Sequence, residues 1–186
     1  MPHWLQAFDS AVLLFLQEVI RVGVLNPLMV AYTHLGDAGL MWIALSVVML
    51  FFPQTRRAGI LSLCAMALGL VCNNLLLKHL VQRPRPYLVV AGLAPLIPPP
   101  DPNSFPSGHT CAAFASAIAW LFTLPRRWMK VTGIVLAALM GFSRMYVGVH
   151  FPTDVLVGGL VGSLCACLVY ALSRRLDRRR PRPLTP

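Results

Sequence analysis

Charge is what this sequence has little of. Only 12% of its 186 residues are Asp, Glu, Lys or Arg, and six of those are acidic. Soluble domains carry roughly a quarter charged residues, so a soluble globular class is excluded. So few carboxylates form no cluster of the kind that holds magnesium. The five cysteines, Cys64, Cys72, Cys111, Cys165 and Cys167, all lie inside apolar runs. Their odd number and lipid-depth positions argue against structural disulfides, and Cys165-Ala-Cys167 lacks zinc-site spacing. They read as small packing residues. No basic stretch precedes the first apolar run, so no cleavable signal peptide is expected. Internal repeats are absent as well.

What the chain has instead is apolar length. It is 57% hydrophobic, with a mean hydropathy of +0.69. Long apolar runs recur along it, which predicts an all-α, polytopic transmembrane helical bundle in a single domain over 1–186. Residues 3–21 set Phe8, Val12, Leu13, Leu16, Val19 and Ile20 near helical spacing, interrupted by Gln17, Glu18 and Arg21. A second short apolar piece, 24–35, is broken by Asn26-Pro27. Forcing the two into one span would bury Glu18 and Arg21 at a cost of roughly 3 kcal/mol each. Residues 1–35 are therefore expected as amphipathic helices lying along the membrane surface, with a sixth span as the alternative. Five spans follow at roughly 38–53, 58–77, 109–124, 130–147 and 155–172. They make 36–172 the membrane core and leave 173–186 as a basic tail. The shorter spans are rich in Ala, Gly and Ser, which suits close helix packing.

The net charge of +10 would admit nucleic acid as a partner, but its distribution follows the membrane instead. Of the sixteen basic residues, eleven fall in three segments: Arg56-Arg57, Arg126-Arg127 with Lys130, and the tail from Arg174 to Arg182. The positive-inside rule puts those segments in the cytoplasm. The remaining cations, Arg21, Lys78, Arg83, Arg85 and Arg144, lie elsewhere. The link 84–108 holds eight of the sixteen prolines and cannot form a helix interior. A plain spacer and a lid or lipid-entry element fit it equally well.

Three short motifs carry chemistry. Lys78 is followed seven residues later by Arg85-Pro86; then come Pro106-Ser107-Gly108-His109; then Ser143-Arg144, His150 and Asp154. Arg85 and Arg144 offer planar forks for phosphate oxygens, and Lys78 adds a point charge. Alone, Lys78 or Arg85 would be a snorkelling flank residue. Arg144, at the end of an apolar span with no acidic neighbour in sequence, needs a partner, and a bound phosphate qualifies. Ser107 and Gly108 stand where a span begins, either as an ordinary N-cap or as an anion site aided by the helix dipole. His109 and His150 are the titratable groups here whose unperturbed pKa lies near neutrality. The four-residue step from His150 to Asp154 can set a carboxylate beside an imidazole, as in a nucleophilic triad. Two histidines, a carboxylate and three cations point to catalysis at the extracytoplasmic side.

Together these motifs resemble the three-part signature of the type 2 phosphatidic acid phosphatase superfamily, over about residues 33–172. The resemblance implies a helical membrane core of that type, with an N-terminal span of the usual six missing here. It implies His150 as the nucleophile forming a phosphohistidine, Asp154 orienting it, and His109 protonating the leaving oxygen and later activating water. Lys78, Arg85, Ser107, Gly108 and Arg144 would hold the phosphate, with no metal and no cofactor. The expected substrate is a lipid phosphate or diphosphate: undecaprenyl pyrophosphate, phosphatidylglycerol phosphate and phosphatidic acid all suit the same site. Two other readings are a phosphotransferase using the same phosphohistidine and a lipid head-group transporter. A transporter has no use for the His-Asp pair or a second histidine. A bacterial cytoplasmic membrane location follows from the same reading.

Overall fold

A computed structural model describes residues 2–98 and 101–179. Pro99 and Pro100 of the proline run, and Arg180 and Arg182 of the basic tail, lie outside the described residues. The fold is all-α, as expected. Helix α1 (His3–Phe15) runs on through a π-helical turn, Leu16–Ile20. Helices α2 (Leu25–Leu35) and α3 (Leu40–Leu50) meet at a 52° bend around a short 3-10 turn, Asp37–Gly39. Helix α4 (Arg56–Gly69) continues through a π-helical stretch, Leu70–Leu77, into α5 (Lys78–Val81). After a short α6 (Pro86–Val89) come α7 (Gly108–Thr123), α8 (Arg127–Tyr146) and α9 (Pro152–Arg179). Among the described residues the only β pairing is an isolated bridge between Pro84 and Asn103.

Helices stand at each of the five expected spans. Arg56–Val81 and Pro152–Arg178 are long and apolar enough to cross a membrane unaided, and the bent pair α2 and α3 makes a third if counted together. Helix α7, at 16 residues, is shorter than the roughly 20 needed for a crossing. It is the central helix instead, packed against α4, α8 and α9. Its Ala113, Ala115, Ala117 and Ala119 are all buried.

Small residues explain why the helices come so close. A Cβ on Gly158 would overlap the Ser107 carbonyl, and one on Gly162 would overlap that of Cys111. These two glycines, four apart on α9, form a small-residue face against α7. The opposite side of α9 is an exposed leucine stripe: Leu156, Leu160, Leu164, Leu168, Leu172 and Leu176. Without a hydrophobic driving force inside lipid, small residues face protein and large ones face tails. On the other flank of α7, Trp42 and Trp120 pack at 5.6 Å beside Ala137 and Met140.

Helix α1 does more than an amphipathic surface helix requires. Its Phe8 and Phe15 are exposed, but Asp9 and Leu13 are fully buried. The polar side of α1 therefore turns toward protein, and Asp9 has partners there.

Candidate active site

Each motif reaches the site from a different element, and local chemistry fixes each one. Ser107 caps α7: its Oγ accepts from the Thr110 N–H at 3.4 Å and from the Thr110 hydroxyl at 2.9 Å. The first-turn N–H groups of Gly108 and His109 then lack intrahelical partners, as at any helix start. Helix α8 ends at Tyr146 in a tight turn where Gly148 takes φ +79°, a value that costs glycine little. That turn leads into His150, and α9 begins on Pro152, which has no N–H to leave unpaired. The backbone N–H of Ser107 donates to the Asp154 carbonyl at 3.0 Å, so the starts of α7 and α9 are tied together.

These elements enclose a cavity of about 640 Å³. Lys78, Arg85, Gly108, His109, Arg144 and His150 line one end of it. Ser107 and Asp154, both fully buried, stand behind that wall. Leu63 and Met66 line the cavity fifteen and twelve residues before Lys78 on the continuous run of α4 into α5, and with Ile43 and Leu70 they make the end away from Lys78 apolar.

His150 is 2% exposed. Its Nε2 lies 3.3 Å from Arg85 Nη1, and its Nδ1 has no hydrogen-bond partner. Burial first, then the charges of Arg144, Arg85 and Lys78, push its pKa well below the ordinary 6.5. The ring is therefore neutral at neutral pH, the form in which a nitrogen lone pair can attack phosphorus. Asp154 Oδ2 sits 3.7 Å from Nδ1, beside the imidazole but beyond hydrogen-bonding distance. Its oxygens are engaged elsewhere: Oδ2 accepts from the Phe151 N–H at 2.9 Å and Oδ1 from Arg83 Nη1 at 2.8 Å.

Arg83 is the residue that sequence reasoning passed over. Its Nη1 donates to Asp154 and to the Thr153 hydroxyl (2.7 Å), and its Nη2 to Asp9 and Gln6 (both 2.8 Å). Its guanidinium also lies 3.8 Å from the centre of the Phe151 ring. A buried cation thus bridges two buried carboxylates and locks α1 onto the start of α9.

The cations of the site are not idle. Lys78 Nζ and Arg85 Nη2 converge on Asp101 Oδ2, at 3.0 and 3.1 Å. Arg85 also donates to the Asp101 and Val149 carbonyls at 2.6 and 2.9 Å. Burial would raise the Asp101 carboxyl, but Lys78, Arg85 and the Asn103 N–H outweigh it and hold it below the usual range. Arg144, 1% exposed, finds a neutral partner in the Thr33 hydroxyl at 2.6 Å, while its Nε has none. The partner expected from its lack of acidic neighbours is met only in part within the chain. His109 Nε2 is 2.9 Å from Asp37 Oδ1. Among the described residues no group of three His, Cys, Asp or Glu side chains is placed to hold a metal ion.

Four of the six acidic residues, Asp9, Asp37, Asp101 and Asp154, meet at this one site. Asp154 was read from its spacing to His150; the signal that would have found the other three is their rarity, because carboxylates at membrane depth are costly and are kept for function.

Comparison with known proteins shows the family. A family model described as PAP2 superfamily matches residues 57–178, and the chain belongs to that superfamily. It is an integral-membrane hydrolase of the lipid phosphatase class. It is 36% identical over 143 residues to an undecaprenyl-diphosphatase of Sulfolobus acidocaldarius, covering 77% of this chain and 68% of that protein. The crystal structure of a phosphatidylglycerolphosphate phosphatase from Bacillus subtilis matches with a TM-score of 0.77 at 32% identity, over 96% of this chain and 90% of that one. That of Aquifex aeolicus LpxE matches with a TM-score of 0.76 at 28% identity, over 87% and 93%.

Proposed function

We propose that the chain hydrolyses a lipid phosphate or diphosphate through a phosphohistidine on His150, without a metal ion, at the extracytoplasmic face of a bacterial cytoplasmic membrane. The observation that carries this reading is the two-ended cavity. Its polar end gathers His150, His109, Arg144, Arg85 and Lys78, and its other end is lined by Ile43, Leu63, Met66 and Leu70. A phosphorylated head group and an apolar tail match those two ends.

In this mechanism the lone pair of His150 Nε2 attacks phosphorus and the bond to the lipid oxygen breaks. Asp154, beside Nδ1, stabilises the imidazolium that forms. Lys78, Arg85, Arg144 and the first-turn N–H groups of α7, positioned by Ser107 and Gly108, take up the charge on the phosphoryl oxygens. His109 gives a proton to the leaving oxygen, then takes one from the water that attacks the phosphohistidine. Undecaprenyl pyrophosphate, phosphatidylglycerol phosphate and phosphatidic acid are the candidate substrates. The names of the relatives support the first two.

Phosphate release from a panel of these lipids, with and without EDTA, tests the reading together with a rapid quench for protein-bound ³²P. Release that survives EDTA is expected, with acid-labile, alkali-stable label on the wild type and none on His150→Ala. Label persisting in His150→Ala would mean another nucleophile, and loss of activity in EDTA restored by magnesium would sink the metal-free mechanism. Label that moves to a second lipid faster than to water would identify a phosphotransferase. Head-group binding with no release at all would identify a transporter.

A further inference from the structure

Asp37 has no part in that mechanism, yet it touches the residue assigned as general acid. The turn between α2 and α3 carries Ala38 at φ +50° and Gly39 at φ +75°. This break bends the chain by 52° beside the cavity, which Gly36, Ala38 and Gly39 help to line. Asp37 Oδ1 lies 2.9 Å from His109 Nε2, and its Oδ2 lies 2.8 Å from His34 Nδ1. Among the described residues, Nε2 is the ring nitrogen of His109 that makes a hydrogen bond.

His109 shares its cavity with Lys78, Arg85, Arg144 and the His150 imidazole. Asp101 is engaged by Lys78 and Arg85. Nearby cations oppose a second proton on an imidazole, and an adjacent carboxylate favours one. Among the described residues, Asp37 is the carboxylate that contacts His109. A carboxylate on one ring nitrogen also fixes which nitrogen faces the reaction.

We propose that Asp37 is a positioning residue for the general acid: it binds His109 Nε2, favours the imidazolium, and leaves Nδ1 to exchange the proton. The proposal rests on His109 acting as the acid. In the first half-reaction the Nδ1 proton passes to the leaving oxygen as the P–O bond breaks and the P–N bond to His150 forms. In the second, water gives a proton to Nδ1 as its oxygen bonds phosphorus and the P–N bond breaks. Asp37 stays ionised through both and exchanges no proton.

The test compares phosphatidic acid with p-nitrophenyl phosphate, whose phenolate leaves without needing a proton. The quantity measured is kcat/KM, which reports only the steps up to loss of the leaving group. For Asp37→Asn, kcat/KM on phosphatidic acid should fall at least about tenfold, short of the ~10²–10⁴ lost with the acid itself, and stay within about twofold on the aryl ester. Asp37→Glu should restore most of the lipid activity. Equal losses on both substrates, or no loss on the lipid, would overturn the proposal. His109→Ala, run in parallel, separates two failures. If it too loses both substrates equally, His109 is not the acid and the parent reading fails. If it discriminates between them and Asp37→Asn does not, only the role of Asp37 falls.

Discussion

At the scale of single residues, the site holds an anion of its own. Asp101 Oδ2 receives both Lys78 and Arg85, the two cations that the first motif supplies for phosphate. A substrate phosphoryl group must displace that carboxylate or share its donors. The Asp101 side chain is 37% exposed, so its pairs are screened and worth at most about 1 kcal/mol, or about fivefold in affinity. Asp101→Asn is therefore expected to lower KM and the inhibition constants of inorganic phosphate and vanadate by about two- to fivefold. If Asp101 instead serves only to orient the cations, both constants will rise. The motif residues themselves were legible in the sequence because their spacing is local and their types are rare in apolar runs. Their partners were not. Arg83 meets Asp154 across 71 positions and Asp9 across 74, and His109 meets Asp37 across 72. No periodicity or spacing encodes such pairings, which exist only once the helices have packed.

At the scale of elements, the sequence marks helix starts better than helix shapes. Ser107 as an N-cap and Pro152 in a first turn are local rules, and both helices begin there. The π-helical stretch Leu70–Leu77 carries no comparable mark, and through it α4 extends past the expected end to Val81. What joins the motifs is the contact of α9 with α7, made through Gly158 and Gly162. Any side chain at Gly158 meets the Ser107 backbone and pushes apart the two helix starts that carry Ser107-Gly108-His109 and His150-Asp154. Gly158→Ala should cost about 1–3 kcal/mol through overpacking and lower kcat along with the unfolding midpoint in detergent. Leu160→Ala, on the lipid-facing stripe, should leave both close to wild type. A variant at Gly158 with unchanged midpoint and kcat would show that the helices separate freely at that point.

At the scale of the whole molecule, two distributions of charge are set against each other. Apart from Arg21, the cations outside the site gather in the turn at Arg56-Arg57, in the turn at Arg126-Arg127, and at the end of α9 and the tail after it. The site cations, Lys78, Arg83, Arg85 and Arg144, lie at the other ends of the helices beginning or ending there, and each has a partner within the protein. Loop cations that nothing neutralises resist translocation and stay cytoplasmic. Lys78, Arg83 and Arg85 are instead paired with Asp9, Asp101 and Asp154, and Arg144 is buried against the neutral Thr33 hydroxyl. The basic ends, where one exposed pair (Arg57 with Asp177, 2.6 Å) offsets a single cation, should therefore set the orientation, with the cavity facing the opposite side. In intact cells, an impermeant thiol reagent should label Pro102→Cys, exposed on the link beside the cavity, and should not label Arg178→Cys, exposed near the end of α9. The native cysteines all lie within helices, Cys111 and Cys165 buried, and labelling of the protein without an added cysteine sets their background. Labelling of Arg178→Cys but not Pro102→Cys would put the cavity in the cytoplasm and reverse the proposed side of action. Labelling of both would mean a leaky membrane, which a cytoplasmic marker protein in the same cells detects.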